Sequence, residues 1–114
     1  MADLLVDTDV CVEHLNGRRR LPRSGRLAYS VITRAELLAD PAADEPTVFR
    51  LLAGMDELSV DRRVAERAGR LRRERQSVKM PDALIAATAL VHSLTLRTNN
   101  VRDFRKVEGL RVRA

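Results

Sequence analysis

Asp7, Glu36, Asp82 and Asp103 are the residues of this 114-residue chain whose types and placement point to chemistry. Asp7 ends the apolar run Leu4, Leu5, Val6, which reads as a short buried strand. Glu36 follows a second strand-like run, Leu27 to Val31, and lies in the first turn of the helix expected after it. Asp82 opens an apolar helix behind Pro81, and Asp103 follows the run Leu94 to Arg97 by a short polar turn. In an open parallel sheet the carboxyl ends of the strands meet loops and helix starts along one edge, so these acids are expected to converge there. Four carboxylates that close repel one another and raise each other's pKa unless a cation is present. Hard divalent ions such as Mg²⁺ or Mn²⁺ prefer oxygen ligands, and Mg²⁺ takes one or two carboxylates together with waters and substrate phosphate oxygens. A centre of this kind hydrolyses phosphodiesters: it lowers the pKa of water, orients in-line attack and stabilises the leaving oxygen.

Each acid also has a purely local role open to it. Asp7 can cap a following helix, Glu36 can complete a capping box with Thr33, Asp82 can complement a helix dipole, and Asp103 can stabilise a turn. Capping acids scatter among helix starts without regard to a common edge, whereas all four of these fall on one. Asp9 reads as a capping or supporting residue, and Asp40 and Asp44 as loop acids. Thr8, Thr98 and Asn100 are candidates to orient carboxylates or water through hydroxyl or amide hydrogen bonds.

The elements that must carry these side chains alternate along the chain. Val10 to Leu15 reads as a short helix, Gly17 to Gly25 as a loop, and Thr33-Arg34-Ala35-Glu36 has the spacing of a capping box that starts a helix near Thr33. Pro41 to Pro46 is a polar connection, Thr47 to Met55 a helix, and Leu58 to Val60 a brief strand. Asp61 caps the next helix, in which Val64, Ala65, Ala68 and Leu71 share an apolar face, and Ser77 to Pro81 breaks it. A helix from Asp82 to about Ser93, a strand at Leu94 to Arg97, a turn through Asn99 and Asn100, a short helix at Val101 to Arg105 and a strand at Leu110 to Val112 complete the pattern. Strands alternating with helices imply right-handed crossovers: an α/β fold, a three-layer α/β/α sandwich around a mainly parallel sheet, as a single domain over residues 1–114.

Composition narrows the function. Tyr29, Phe49 and Phe104 are the only aromatic residues, which excludes an aromatic sheet that stacks several bases. Apolar runs such as Ala83 to Val91 fall far short of the roughly 20 residues that span a bilayer, and Met1-Ala2-Asp3 is no basic leader, so neither a membrane protein nor a secreted one is expected. Cys11 alone forms no internal disulfide, and His14 and His92 do not complete a zinc site with it, which fits a cytoplasmic protein. The net charge of +5 is segregated. Arg18, Arg19, Arg20, Arg23 and Arg26 form one basic cluster, and a second runs from Arg62 to Lys79, with acids concentrated between them. The arginine-rich helix from Asp61 to Gln76 is either a solvated face or a surface for RNA phosphates. Val48, Leu51, Leu52 and Met55 serve equally well as a dimer stripe or as core.

Four strings resemble the PIN-domain ribonucleases, in particular the VapC-type toxins of bacterial toxin-antitoxin pairs. They are Leu-Leu-Val-Asp-Thr-Asp at 4 to 9, Ser-Val-Ile-Thr-Arg-Ala-Glu-Leu at 30 to 37, Pro-Asp-Ala-Leu-Ile-Ala-Ala-Thr-Ala at 81 to 89 and Thr-Asn-Asn-Val-Arg-Asp-Phe at 98 to 104. The resemblance implies a Mg²⁺-dependent endoribonuclease toxin that leaves a 5′-phosphate and a 3′-hydroxyl. It makes Asp7 and Asp82 the principal metal ligands, Glu36 the third acid and Asp103 the fourth, with Asn100 lining the site. It also implies a homodimer that aligns two sites along a basic groove, and a cognate VapB-type antitoxin. The chain is shorter than most of that family in the Gly17–Gly25 and Pro41–Pro46 connections. Ser93 stands where a turn glycine is common, and Arg97 where an apolar strand residue is common, so the strand ending at Arg97 is expected to be more exposed. Two other readings share the fold class: an inactive PIN-like module that binds RNA or antitoxin, and a phosphoacceptor receiver domain. The second needs a lysine near the end of a later strand, and Lys106 comes too late for it.

Overall fold

A computed structural model describes residues 3–22 and 25–114. Met1 and Ala2, and Arg23 of the first basic cluster, lie outside the described residues. The elements run β1 (Leu4–Val6), α1 (Thr8–Leu15), β2 (Leu27–Ser30), α2 (Val31–Ala39), α3 (Glu45–Ala53), β3 (Asp56–Leu58), α4 (Arg62–Glu74), α5 (Met80–Val91), β4 (Thr95–Arg97), α6 (Val101–Phe104) and β5 (Val112–Arg113). The strands form one sheet in the order β3-β2-β1-β4-β5, and every neighbouring pair is parallel.

β1 is the central strand because both of its faces are apolar. Successive strand side chains point to opposite faces, and Leu5 and Val6, both fully buried, enter different cores. Leu5 packs with Ala28, Leu96 and the apolar sides of α4 and α5; Val6 packs with Val10, Tyr29, Val48 and Leu52. The three layers expected from the alternation of elements are thus present. α5 is apolar nearly all round, and Ala83, Ala86, Ala87 and Ala89 are buried among its neighbours, as a helix enclosed on most sides requires.

Several boundaries differ from the sequence reading, each for a local reason. α2 starts at Val31 and not near Thr33, because the buried Ser30 hydroxyl at the end of β2 accepts from the Ile32 amide at 3.1 Å and caps the helix first. Thr33 is therefore buried inside α2, and Glu36 lies in its second turn, so there is no capping box. The break expected at Ser77 to Pro81 is present but starts earlier, α4 ending at Glu74, and Pro81 itself sits in the first turn of α5, where its missing amide hydrogen costs nothing; Pro46 does the same in α3. In α4 the seam is Val64, Ala68 and Leu71, whereas Ala65 lies one helical step beyond it and is exposed.

The outer strands are each shifted by about two residues from the expected runs. β3 is Asp56–Leu58, an edge strand whose polar residues are paired: Asp56 accepts from Arg26 at 2.6 Å, and Glu57 accepts from the Tyr29 hydroxyl at 2.9 Å and from Arg34 at 2.6 Å. β5 is Val112–Arg113 at the other edge. Val48 and Leu52 are core, with Leu51 and Met55 packed against it, so that stripe is taken up internally. Ser93 adopts a left-handed φ of 55°, the conformation that favours glycine at a turn. Arg97 is half-buried rather than exposed, since β4 is flanked on both sides by strands. Its Nε finds no partner among the described residues, and burial, then Arg19 and Arg113, lower its pKa.

Candidate active site

Strand order decides where the acids go. From β1 the chain moves outward to β2 and β3, then returns across the sheet to β4 and β5, so the order reverses between β1 and β4. At such a point the loops leaving two adjacent strands diverge and open a crevice at their carboxyl ends. Asp7 follows β1 and Thr98 follows β4 on the two sides of it, and the Thr98 hydroxyl donates to Asp7 Oδ2 at 2.7 Å. The other carboxylate oxygen, Oδ1, accepts from the Thr8 amide at 2.8 Å, so Asp7 also caps α1. Thr98 is tied in turn, its hydroxyl accepting from the Asn100 amide at 3.0 Å.

Asp7 is only 6% exposed. Burial pushes its carboxyl up from 3.8 to about 6, with Asp9 and Asp82 adding to the rise and the Thr98 and Thr8 hydrogen bonds opposing it. Asp82, in the first turn of α5, is also raised: first by burial, then by Glu36, Asp103 and Asp9, with Lys79 pulling the other way. Asp82 thus feels Glu36, Asp103 and Asp9, while Asp7 in turn feels Asp82. Glu36 is exposed and accepts from the Thr8 hydroxyl at 2.7 Å; that hydroxyl also lies 2.9 Å from the Thr33 hydroxyl. Asp103 is exposed in α6 and shares a cleft of about 280 Å³ with Asp82. A larger cleft, about 620 Å³ between α4 and the segment after α6, holds Arg67, Arg70 and Arg75 but none of these acids, so size does not mark the chemistry.

Asp9 belongs to the same field, although its sequence context reads as a supporting cap. Its carboxylate accepts from the Asn99 amide at 3.2 Å and from the Thr98 hydroxyl at 3.4 Å, and burial raises its pKa. The spacing Asp7-Thr8-Asp9 across a strand end was the available signal. Asn99 was not singled out, yet its side chain bridges Arg19 and Glu13 beside Asp9. Asn100 takes part through its main-chain amide.

The donor set is entirely hard oxygen, and one carboxyl is buried without a cationic partner among the described residues. That chemistry suits a divalent ion of the Mg²⁺ class. In the positions they take here, no three acidic, histidine or cysteine side chains among the described residues are drawn close enough to hold an ion together. Cys11 offers no alternative ligand: it is a buried free thiol held up at about 12, mainly by burial.

Comparison with known proteins gives a consistent result. Residues 4–110 match the PIN domain family. Ribonuclease VapC10 of Mycobacterium tuberculosis is 39% identical over 120 residues, an alignment that covers 95% of this chain and 90% of that relative. Among solved structures, a toxin-antitoxin complex from Klebsiella pneumoniae contains a chain 31% identical with a TM-score of 0.83, covering 98% of this chain and 97% of the other. DNA-bound VapBC from Salmonella typhimurium gives a TM-score of 0.84 at 26% identity, covering 99% and 98%. No helix among the described residues is long and apolar enough to cross a membrane.

Proposed function

Given that the chain belongs to the PIN domain family, among its VapC ribonucleases, we propose that it is a metal-dependent endoribonuclease and the toxin of a toxin-antitoxin pair. The observation that carries the proposal is the buried Asp7 carboxyl at the crevice between β1 and β4, raised by burial and lying in the field of Asp82, which itself lies in the field of Glu36 and Asp103. Asp7 and Asp82 would hold Mg²⁺ or Mn²⁺, with Glu36 and Asp103 completing the acidic set. A bound divalent ion supplies a lowered pKa for attacking water and charge stabilisation on the leaving oxygen.

The chain's own part is to hold those oxygens still and keep them ionised. Thr98 and the Thr8 amide each fix one oxygen of Asp7, and both hydrogen bonds favour its charged form. The Thr8 side chain holds Glu36 on the same side of the sheet. Because the Thr8 amide and the Thr8 hydroxyl serve different acids, this one residue couples the end of β1 to α2. A VapB-type antitoxin, a homodimer and a cytoplasmic setting belong to this reading; the solved neighbours named above include toxin-antitoxin complexes.

Purified protein incubated with total RNA is expected to cut it with Mg²⁺ or Mn²⁺ and not with EDTA, leaving 5′-phosphate and 3′-hydroxyl ends when the cut sites are mapped. Cleavage indifferent to chelator overturns the mechanism. RNA binding without cleavage under any metal identifies a binding module instead.

Thr98→Val tests the support of Asp7. It removes the donor to Oδ2 and the acceptor of the Asn100 amide while keeping the shape. Cleavage is expected to fall about 10- to 100-fold, and stability by about 1 to 3 kcal/mol from groups left unpaired. Thr98→Ser should recover most of both. Equal kcat/KM for wild type and Thr98→Val would remove this role from Thr98.

A further inference from the structure

Lys79 and Lys106 are the only lysines among 21 basic residues, and they come from separate segments of the chain. Lys79 precedes α5 as its capping residue, and Lys106 follows α6. Both line the same cleft of about 280 Å³, together with Ser77, Asp82 and Asp103. Both are exposed, and among the described residues neither ammonium is engaged in an ion pair, whereas Arg26 and Arg34 are bound to Asp56 and Glu57. The Lys79 charge reaches Asp82, whose ionised form it favours.

An acidic crevice on its own repels a polyanion, and positive charge on its wall is what allows a phosphate strand to approach. The ammonium group suits this place: it is a compact charge on a flexible stem with three rotatable donors, and it needs no planar partner. We propose that Lys79 and Lys106 are positioning residues that grip the RNA backbone phosphates next to the scissile one and lay the strand across Asp82 and Asp103. The proposal rests on the endoribonuclease reading and deepens it by naming where the strand is held. Contacts of this kind fix register and orientation without reading bases. Phe104, the aromatic residue of the cleft, is buried at 2% exposure and offers no face for a base to stack on.

The test measures binding apart from cutting. A fluorescent single-stranded RNA is titrated in EDTA against protein carrying Asp7→Asn, over a series of salt concentrations. Adding Lys79→Ala and Lys106→Ala together is expected to reduce the slope of log affinity against log salt by about 1.4, the value for two lost phosphate contacts on a single strand. Affinity should fall roughly tenfold, as the loss of two exposed, salt-screened ion pairs implies. Arg63→Ala with Arg111→Ala removes the same charge at the opposite end of α5 and β4, where these arginines donate to the Val91 and Ser93 carbonyls. That pair should leave the slope near the parent's, and Lys79→Arg with Lys106→Arg should restore it. Thermal melts confirm that each variant is folded.

A lysine pair behaving like the arginine pair overturns the proposal. If the slope falls in a protein whose Asp7-intact form cuts no RNA under any metal, the endoribonuclease reading fails and the phosphate grip stands. Full cutting with an unchanged slope gives the reverse.

Discussion

Asp7→Asn is expected to lower RNA cleavage by about a thousandfold or more, since several kcal/mol of charge stabilisation depend on that carboxylate. In metal-free protein the same change should make the fold more stable at pH 7, by up to about 3 kcal/mol. The second effect has the opposite sign to the usual loss of a buried polar group, and the sign follows from the titration. Burial holds the Asp7 carboxyl at about 6 in the folded chain, against 3.8 when exposed. The folded state therefore binds this proton more tightly than the unfolded state does. Stability from Asp7 is fully present below about 3.8 and is lost as pH rises through about 6. Above that, folding must bury a charge. Asn cannot ionise, and its amide can still accept from the Thr8 amide and donate to the Thr98 hydroxyl. Urea unfolding in EDTA should give converging stabilities below about pH 4 and an advantage for the variant that grows between about pH 4 and 6 and stays level above it. A variant less stable than wild type at pH 7 would show that the Asp7 charge is compensated in the fold.

Asp82→Asn should abolish cleavage to about the same level, because groups that act as one unit lose their effect together. The double change Asp7→Asn with Asp82→Asn is then expected to be no slower than either single variant. Two separate contributions would instead multiply, and a double variant slower by the product of the single losses would show that the two acids do not share a task. Stability should move little. A negative charge in the first turn of α5 is favourable by about 0.3 to 1 kcal/mol, while Glu36, Asp103 and Asp9 crowd the same carboxylate. Comparison of kcat/KM and urea midpoints across the three variants checks both statements.

The strands of the sheet were legible to different degrees. β1 is apolar throughout and β2 up to its closing Ser30, because both are covered on both faces, and their positions were readable within a residue. The edge strands β3 and β5 were displaced by two residues from the expected runs, since an edge tolerates Asp56, Glu57 and Arg113, which carry no apolar period. The start of α2 was misplaced because Thr33 and Glu36 have the spacing of a cap whether or not they cap anything. Only the burial of Ser30 and its bond to the Ile32 amide distinguish the two cases. α4 was readable from its period, with Ala65 the exception, because alanine fits an exposed helical position as well as a buried one.

The order of elements, the alternation that implies three layers and the four candidate acids lie in the sequence by itself, because apolar period and turn chemistry are local properties. Which side chains become neighbours is not local. The strand order brings Thr98 to Asp7 across 91 residues, draws Asp9 into the acidic field, turns the Thr8 hydroxyl to Glu36, and sets Lys79 and Lys106 in one cleft. Only the tertiary structure decides these, since burial and charge interaction depend on separation in space, and the return of the chain across β1 makes that separation independent of distance along the sequence.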